Sequence, residues 1–141
     1  MKKLKTFIIA EAGVNHDGNI LKAEKMIRIA SKIGADVIKF QAFDVNEVIL
    51  KNTHKAKYQL QNTKKNEDQY EMIKKLQFSI QDFKRLKNIC KKYKIEFMCS
   101  VFDLKTFNLL KKLNLKRFKI PSGEINNYPL VIELGKLNKE L

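Results

Sequence analysis

The sequence predicts an α/β fold with parallel strands, on three observations. Short β-branched runs alternate with helical apolar spacings, the alternation recurs four times, and turn or capping residues stand at the junctions. Parallel pairing follows because each helical crossover returns the chain to the same edge. The first run, Phe7 to Glu11, leads into the turn Asn15-His16-Asp17-Gly18 and a helix with Ala23, Met26, Ala30 and Ile33 on one side, which Gly34 stops. Asp36 to Phe43 holds the second strand, Val37-Ile38-Lys39-Phe40-Gln41. A polar, loop-rich stretch from Asn46 to Gln69 then leads to a helical segment carrying Tyr70, Ile73 and Leu76.

Ser79 and Asp82 form a capping box opening a helix with Phe83, Leu86, Cys90 and Tyr93 on its apolar side. The third strand spans Glu96 to Phe102. Asp103 caps a helix bearing Leu104, Phe107, Leu110 and Leu113, and Arg117 to Ile120 forms the fourth strand. Pro129 sits in the opening turn of a last helix, which Gly135 closes.

Composition narrows the class. Of 141 residues 44% are hydrophobic and 31% charged, so the chain buries a core, and five Gly and two Pro supply no linker. The apolar run Phe7-Ile8-Ile9-Ala10 meets Glu11 too soon for a signal-peptide core or a spanning helix, so a soluble cytoplasmic chain with no membrane partner is expected. The net charge of +14 suits anionic partners, yet only Arg28, Arg85 and Arg117 are arginines. The lysines are dispersed, in pairs such as Lys64-Lys65, Lys74-Lys75, Lys91-Lys92 and Lys111-Lys112, so they read as solvated faces and no nucleic-acid partner is expected. Cys90 and Cys99 make no C-x-x-C pair, and His16 and His54 lack metal spacing, so both cysteines read as reduced core residues.

A barrel is favoured over an open dinucleotide-binding sheet. No G-x-G-x-x-G follows the first strand, whereas polar residues recur at the C-terminal end of every strand. A (β/α) barrel needs about 250 residues. Residues 1–141 supply four units and stop before a fifth strand, so they read as the N-terminal half of a TIM barrel, one partial domain with no second domain. Alone, such a half exposes two sheet edges and part of an apolar interior.

The strand ends carry the chemistry. Lys39 and Gln41 share one face of their strand, and a covered Lys needs an anionic partner. Glu11 is suited to a general base, a hydroxyl-binding group or a helix-cap partner. Lys119-Ile120-Pro121-Ser122-Gly123-Glu124 puts an ammonium, a hydroxyl and a carboxylate on one strand-to-helix turn, which suits an oxyanion. Read simply as a tight turn, Ser122 and Glu124 would cap the last helix, leaving Lys119 unexplained. Ser100 draws its interest from its position at the end of the third strand, and His16 reads as a turn residue making local hydrogen bonds. Together these groups describe a pocket for a small polyanion and a polyol.

Four stretches, Phe7 to Gly18, Gly34 to Gln41, Glu96 to Phe102 and Phe118 to Leu130, resemble in order and spacing the sialic acid synthase family. That family condenses phosphoenolpyruvate with an amino-sugar aldose to make a nine-carbon 2-keto acid. Within it the chain is similar to bacterial synthases of N-acetylneuraminate or of legionaminic acid, with Tyr58-Gln59 and Gln69-Tyr70-Glu71-Met72 leaning toward the latter. The resemblance implies that Lys39, Lys119, Ser100 and Ser122 bind phosphoenolpyruvate and that Glu11 and Gln41 contact the sugar. Glu11 and Glu124 are the implied catalytic residues, with Glu124 beside the phosphoenolpyruvate where a proton must move. It further implies a divalent metal, Mn²⁺, that polarises the aldehyde and is held by histidines of later strands. It implies a homodimer in which an antifreeze-like domain of the partner reaches over the site. Neither feature belongs to residues 1–141, so the chain alone is expected to be inactive. Ser100, Val101 and Asp17 stand where Thr, Pro and Asn are usual in the family. Two other classes fit the residues less fully: a non-catalytic remnant docking with another chain, and a basic nucleic-acid binder.

Overall fold

The computed structural model describes residues 6–51, 53–55, 59 and 68–141. Four parallel strands, β1 (Ile9–Gly13), β2 (Val37–Ala42), β3 (Glu96–Val101) and β4 (Phe118–Lys119), lie side by side in chain order. Between them run α1 (Ile20–Lys32), the short α2 (Val45–Val48) and α3 (Gln69–Lys74), then α4 (Ile80–Lys92) and α5 (Leu104–Leu110). A closing helix, α6, spans Tyr128–Gly135. This is the α/β alternation expected, arranged as the first four units of a barrel wall.

The core lies between the sheet and the helices. Alternate strand residues Ile38, Phe40, Ala42, Phe97, Cys99, Val101 and Phe118 point to that side and are buried against Ala23, Ile27, Phe83, Leu86, Phe107 and Leu110. Phe40 stacks on Phe97, and Phe107 meets Phe118 edge to face. Cys90 and Cys99 are free and buried here, and burial pushes the Cys90 thiol up to about 12 and Cys99 up as well. Both are therefore protonated and unreactive at neutral pH.

Local chemistry explains where the elements depart from the sequence reading. β1 begins at Ile9 because the Ile8 carbonyl is engaged by the backbone N–H groups of Asp36 and Val37 ahead of the ladder. It runs past Glu11 to Gly13 through a bulge: Glu11 pairs with Lys39, Gly13 with Phe40, and Ala12 is the extra residue. Part of the stretch read as loop is helical, since the Asp44 side chain accepts from the Asn46 N–H and opens α2. Residues 52, 56–58 and 60–67 lie outside the described residues, and with them Tyr58 and the Lys64-Lys65 pair. Leu76 falls beyond α3 and Leu113 falls in a 3₁₀ turn, Lys111–Leu113, which left-handed Asn114 ends. β4 is two residues shorter than expected: only Phe118 and Lys119 pair with β3, and Arg117 makes an isolated parallel bridge to Glu140 instead. Gly135 is the last residue of α6, and the left-handed residue after that helix is Asn138. Among the described residues no helix is long and apolar enough to cross a membrane.

The strand C-terminal ends are tied together by Asp103. One carboxylate oxygen caps α5 at the Thr106 N–H (2.6 Å), and the other accepts the Asp44 N–H (2.8 Å) after β2. Asp103→Ala leaves two N–H groups short of an acceptor, so unfolding in urea should show a loss of about 2–4 kcal/mol, with Asp103→Asn losing less.

Candidate functional site

The concave face of the sheet, opposite the helices, gathers most of the residues the sequence singled out. The Glu11–Lys39 and Gln41–Ser100–Lys119 registers put five of them on neighbouring strands at the C-terminal end. Lys39 is the hub. Its side chain is only 14% exposed; it forms an ion pair with Glu11 and donates to Ser100 Oγ at 3.3 Å. The anionic partner expected for a covered Lys is therefore Glu11, whose side chain is 49% exposed. Ser100 is 4% exposed, and the ammonium satisfies its hydroxyl.

Gly13 shapes the other side of this cluster. It has a left-handed φ of 55°, and a side chain there would meet Glu11 Oε1 at 3.3 Å and Gln41 Nε2 at 3.5 Å. The bulge and the missing Cβ thus bring a carboxylate and an amide together above the strand end. Below the cluster, Phe7, Ile9, Met98, Arg117 and Lys119 help to line a cavity of about 320 Å³. Its floor is braced by Arg117, which pairs with Glu96 (2.7 Å) and Glu140 (2.5 Å) and lies under the Phe7 ring at 4.5 Å.

Lys119 is exposed beside Ser100 in the register, whereas Ser122 and Glu124 stand on a separate 3₁₀ turn, Ser122–Glu124. Neither caps α6. Asn127 does so, its Oδ1 accepting from the Leu130 N–H, and its amide donates to Glu124 Oε2 at 2.8 Å. Glu124 is half-buried and oriented by that bond, and Ser122 is exposed. Among the described residues no hydrogen bond or ion pair joins this turn to Lys39.

The sequence of residues 26–141 matches the NeuB family model. The chain belongs to the NeuB family. Among curated NeuB relatives, the N,N'-diacetyllegionaminic acid synthase of Campylobacter jejuni is 47% identical over 137 residues, 97% of this chain and 41% of that protein. The Legionella pneumophila protein of the same name is 44% identical over 123 residues, 87% of this chain and 35% of its own length. The solved N-acetylneuraminic acid (sialic acid) synthetase of Leptospira borgpetersenii, in complex with citrate, superposes with a TM-score of 0.72 at 31% identity, covering 90% of this chain and 40% of that one. This chain thus spans about two fifths of the length of the relatives it matches.

The described residues of this NeuB chain do not by themselves make a seat for a divalent cation. Among the described residues no three His, Cys, Asp or Glu side chains converge, and the Glu11 carboxylate at the cluster is turned to an ammonium.

One NeuB residue near the site is more than the turn-former the sequence suggested. His16 is 1% exposed, stacked on Phe78 with ring centroids 3.9 Å apart, and tilted against Phe40. Its Nδ1 accepts from the Gly18 N–H at 3.1 Å, while Nε2 is buried with no partner. A buried donor left unmade costs about 1–3 kcal/mol. The only sequence signal for this burial was the apolar ring of Phe78, sixty-two positions away and outside any local pattern.

Burial lowers the His16 pKa from 6.5; Asp17 opposes this and Lys22 adds to it. The unfolded chain therefore takes up a proton below about pH 6.5 that the folded chain refuses, and stability must fall as pH falls through that range. The slope from this group is at most about 1.4 kcal/mol per pH unit. Asp17 and Asp44, held low by Lys22 and Lys105, lose their contributions only below about pH 4. Denaturation midpoints measured from pH 7 to about pH 5 should decline, and His16→Phe should flatten that decline.

Proposed function

We propose that this chain is the N-terminal part of a single barrel domain of a synthase that joins phosphoenolpyruvate to an N-acetylated amino-sugar aldose. The product is a nine-carbon 2-keto acid, with release of phosphate. The observation that carries the reading is the Lys39 ammonium set between Glu11 and Ser100 on the concave face, with Lys119 in register beside Ser100. Family membership, and two relatives above 40% identity named N,N'-diacetyllegionaminic acid synthase, support a diacetamido-trideoxymannose as the aldose over N-acetylmannosamine.

The residues divide the work by charge. Phosphoenolpyruvate brings a carboxylate and a phosphate, for which Lys39 and Lys119 supply cations and Ser100 and Ser122 supply directed hydroxyl donors. As the anion enters, it competes with Glu11 for Lys39. The displaced carboxylate is then free to accept a hydroxyl of the aldose, with the Gln41 amide beside it. The enol carbon attacks the aldehyde carbon, forming the new carbon–carbon bond, and the aldehyde oxygen takes up a proton. Water adds to the resulting cationic carbon, and the carbon–oxygen bond to phosphate breaks, leaving the keto group. Glu124, oriented by Asn127, holds or accepts the moving proton, and the two lysines balance the negative charge at each stage.

Phosphate release by the native protein carrying this sequence tests the reading directly. With phosphoenolpyruvate, a divalent cation and the diacetamido sugar, phosphate and a 2-keto acid should appear together, and a heavy-oxygen label in the bridging position should leave with the phosphate. No phosphate with either aldose sinks the assignment. Lys39→Met should weaken phosphoenolpyruvate binding about 10–100-fold in calorimetry, the loss of one charge-assisted contact. Glu11→Gln should act in the opposite sense, binding phosphoenolpyruvate as well as the parent or up to about fivefold tighter because the partly exposed internal counter-ion is gone. It should nonetheless lose aldose turnover.

A further inference from the structure

We propose that His16 is a positioning residue that holds Glu11 in place for the aldose through the turn between β1 and α1; this rests on the reading of Glu11 as the sugar contact. An apolar ring would fill the slot on Phe78 without leaving a donor unmade, so what the imidazole adds is the bond from Gly18 N–H to Nδ1. That bond closes a turn already dense in backbone contacts. Asn15 N–H donates to the Ala12 carbonyl, Asp17 N–H to Val14 and Asn19 N–H to His16, and Asp17 and Gly18 are both left-handed.

The turn is also wedged from outside. A Cβ on Gly18 would lie 2.1 Å from the Lys75 carbonyl oxygen, so the backbone at Gly18 abuts the segment that leads to Phe78. His16 and Gly18 therefore grip the same segment, 75–78, from two points. At its other end the turn grows directly out of Gly13, the residue that completes the bulge and over which Glu11 and Gln41 approach each other. A shift of the turn is a shift of the bulge and so of Glu11. Lys39 and Ser100 are carried by β2 and β3, whose six-residue pairing is uninterrupted and does not involve the turn. The coupling is thus graded: the sugar side depends on His16 through the turn and the bulge, and the anion side only through the Glu11 partner of Lys39 and the ring contact of His16 with Phe40.

Two variants of the native protein test it. His16→Phe keeps the stacking ring and removes the acceptor; His16→Asn offers an amide oxygen as replacement acceptor. In His16→Phe, amide hydrogen exchange should rise about tenfold over residues 13 to 18 and stay unchanged in β2 and β3, consistent with losing one hydrogen bond. KM for the aldose should rise about tenfold while phosphoenolpyruvate binds no more weakly than to the parent and at most about fivefold more tightly, the limit set by freeing Lys39 of Glu11. His16→Asn should recover most of the losses in exchange protection and KM. Unchanged exchange at 13 to 18, an increase spread through β2 and β3, or equal shifts for the two substrates would overturn the proposal. The exchange measurement needs no turnover, so a protein that uses neither aldose would refute the proposed reaction and leave the role of His16 to be decided by exchange alone.

Discussion

The polar cluster on the concave face is arranged around one largely covered ammonium. Lys39 lies on β2 with a neighbour strand on each side, and an amine so covered is tolerable only with a carboxylate and a hydroxyl at hand. The parallel register supplies them, one from each flank: Glu11 from β1 and Ser100 from β3. The bulge in β1 completes the fit, since it ends in a left-handed glycine whose missing side chain leaves Glu11 and Gln41 room to meet. Polar chemistry is thus confined to one side of a sheet whose other side is packed with Phe40, Phe97 and Phe118.

The period of two along each strand is what separates these two environments. Ile38 and Phe40 enter the core because Lys39 and Gln41 do not, and the same alternation sends Cys99 and Val101 inward while Ser100 faces the cluster. Below the cluster the concave side changes character again, to Ile9, Met98 and the Arg117–Glu96–Glu140 ion pairs under Phe7. The wall is therefore layered, with ionic contacts at the base, apolar side chains above them and the reactive groups at the mouth.

Much of this was legible because it is written in local pattern. Strand alternation showed that Lys39 and Gln41 share a face, the Ser79–Asp82 box and Asp103 marked two helix starts, and the four strand-end motifs named the family. What escaped depends on residues far apart in sequence or on backbone detail. The identity of the Lys39 partner needed the β1–β2 register, and the β1 bulge hinges on a single left-handed glycine. The burial of His16 needed Phe78 to arrive from another unit. Pro129 marked the opening turn of α6, but its cap, Asn127, was not singled out because Ser122 and Glu124, good capping types just upstream, stand on a 3₁₀ turn of their own.

Strand order that follows chain order has a meaning for how the molecule comes to exist. A ribosome delivers β1 first, and each later unit can dock on a neighbour already made, with no strand waiting for a distant mate. When β2 is laid down, the carboxylate that neutralises its lysine is already standing on the adjacent strand; Ser100 follows and closes the other flank. The most hazardous charge in the sheet is thereby accompanied from the moment it is covered, and the order of synthesis is the order in which the site becomes electrostatically tolerable.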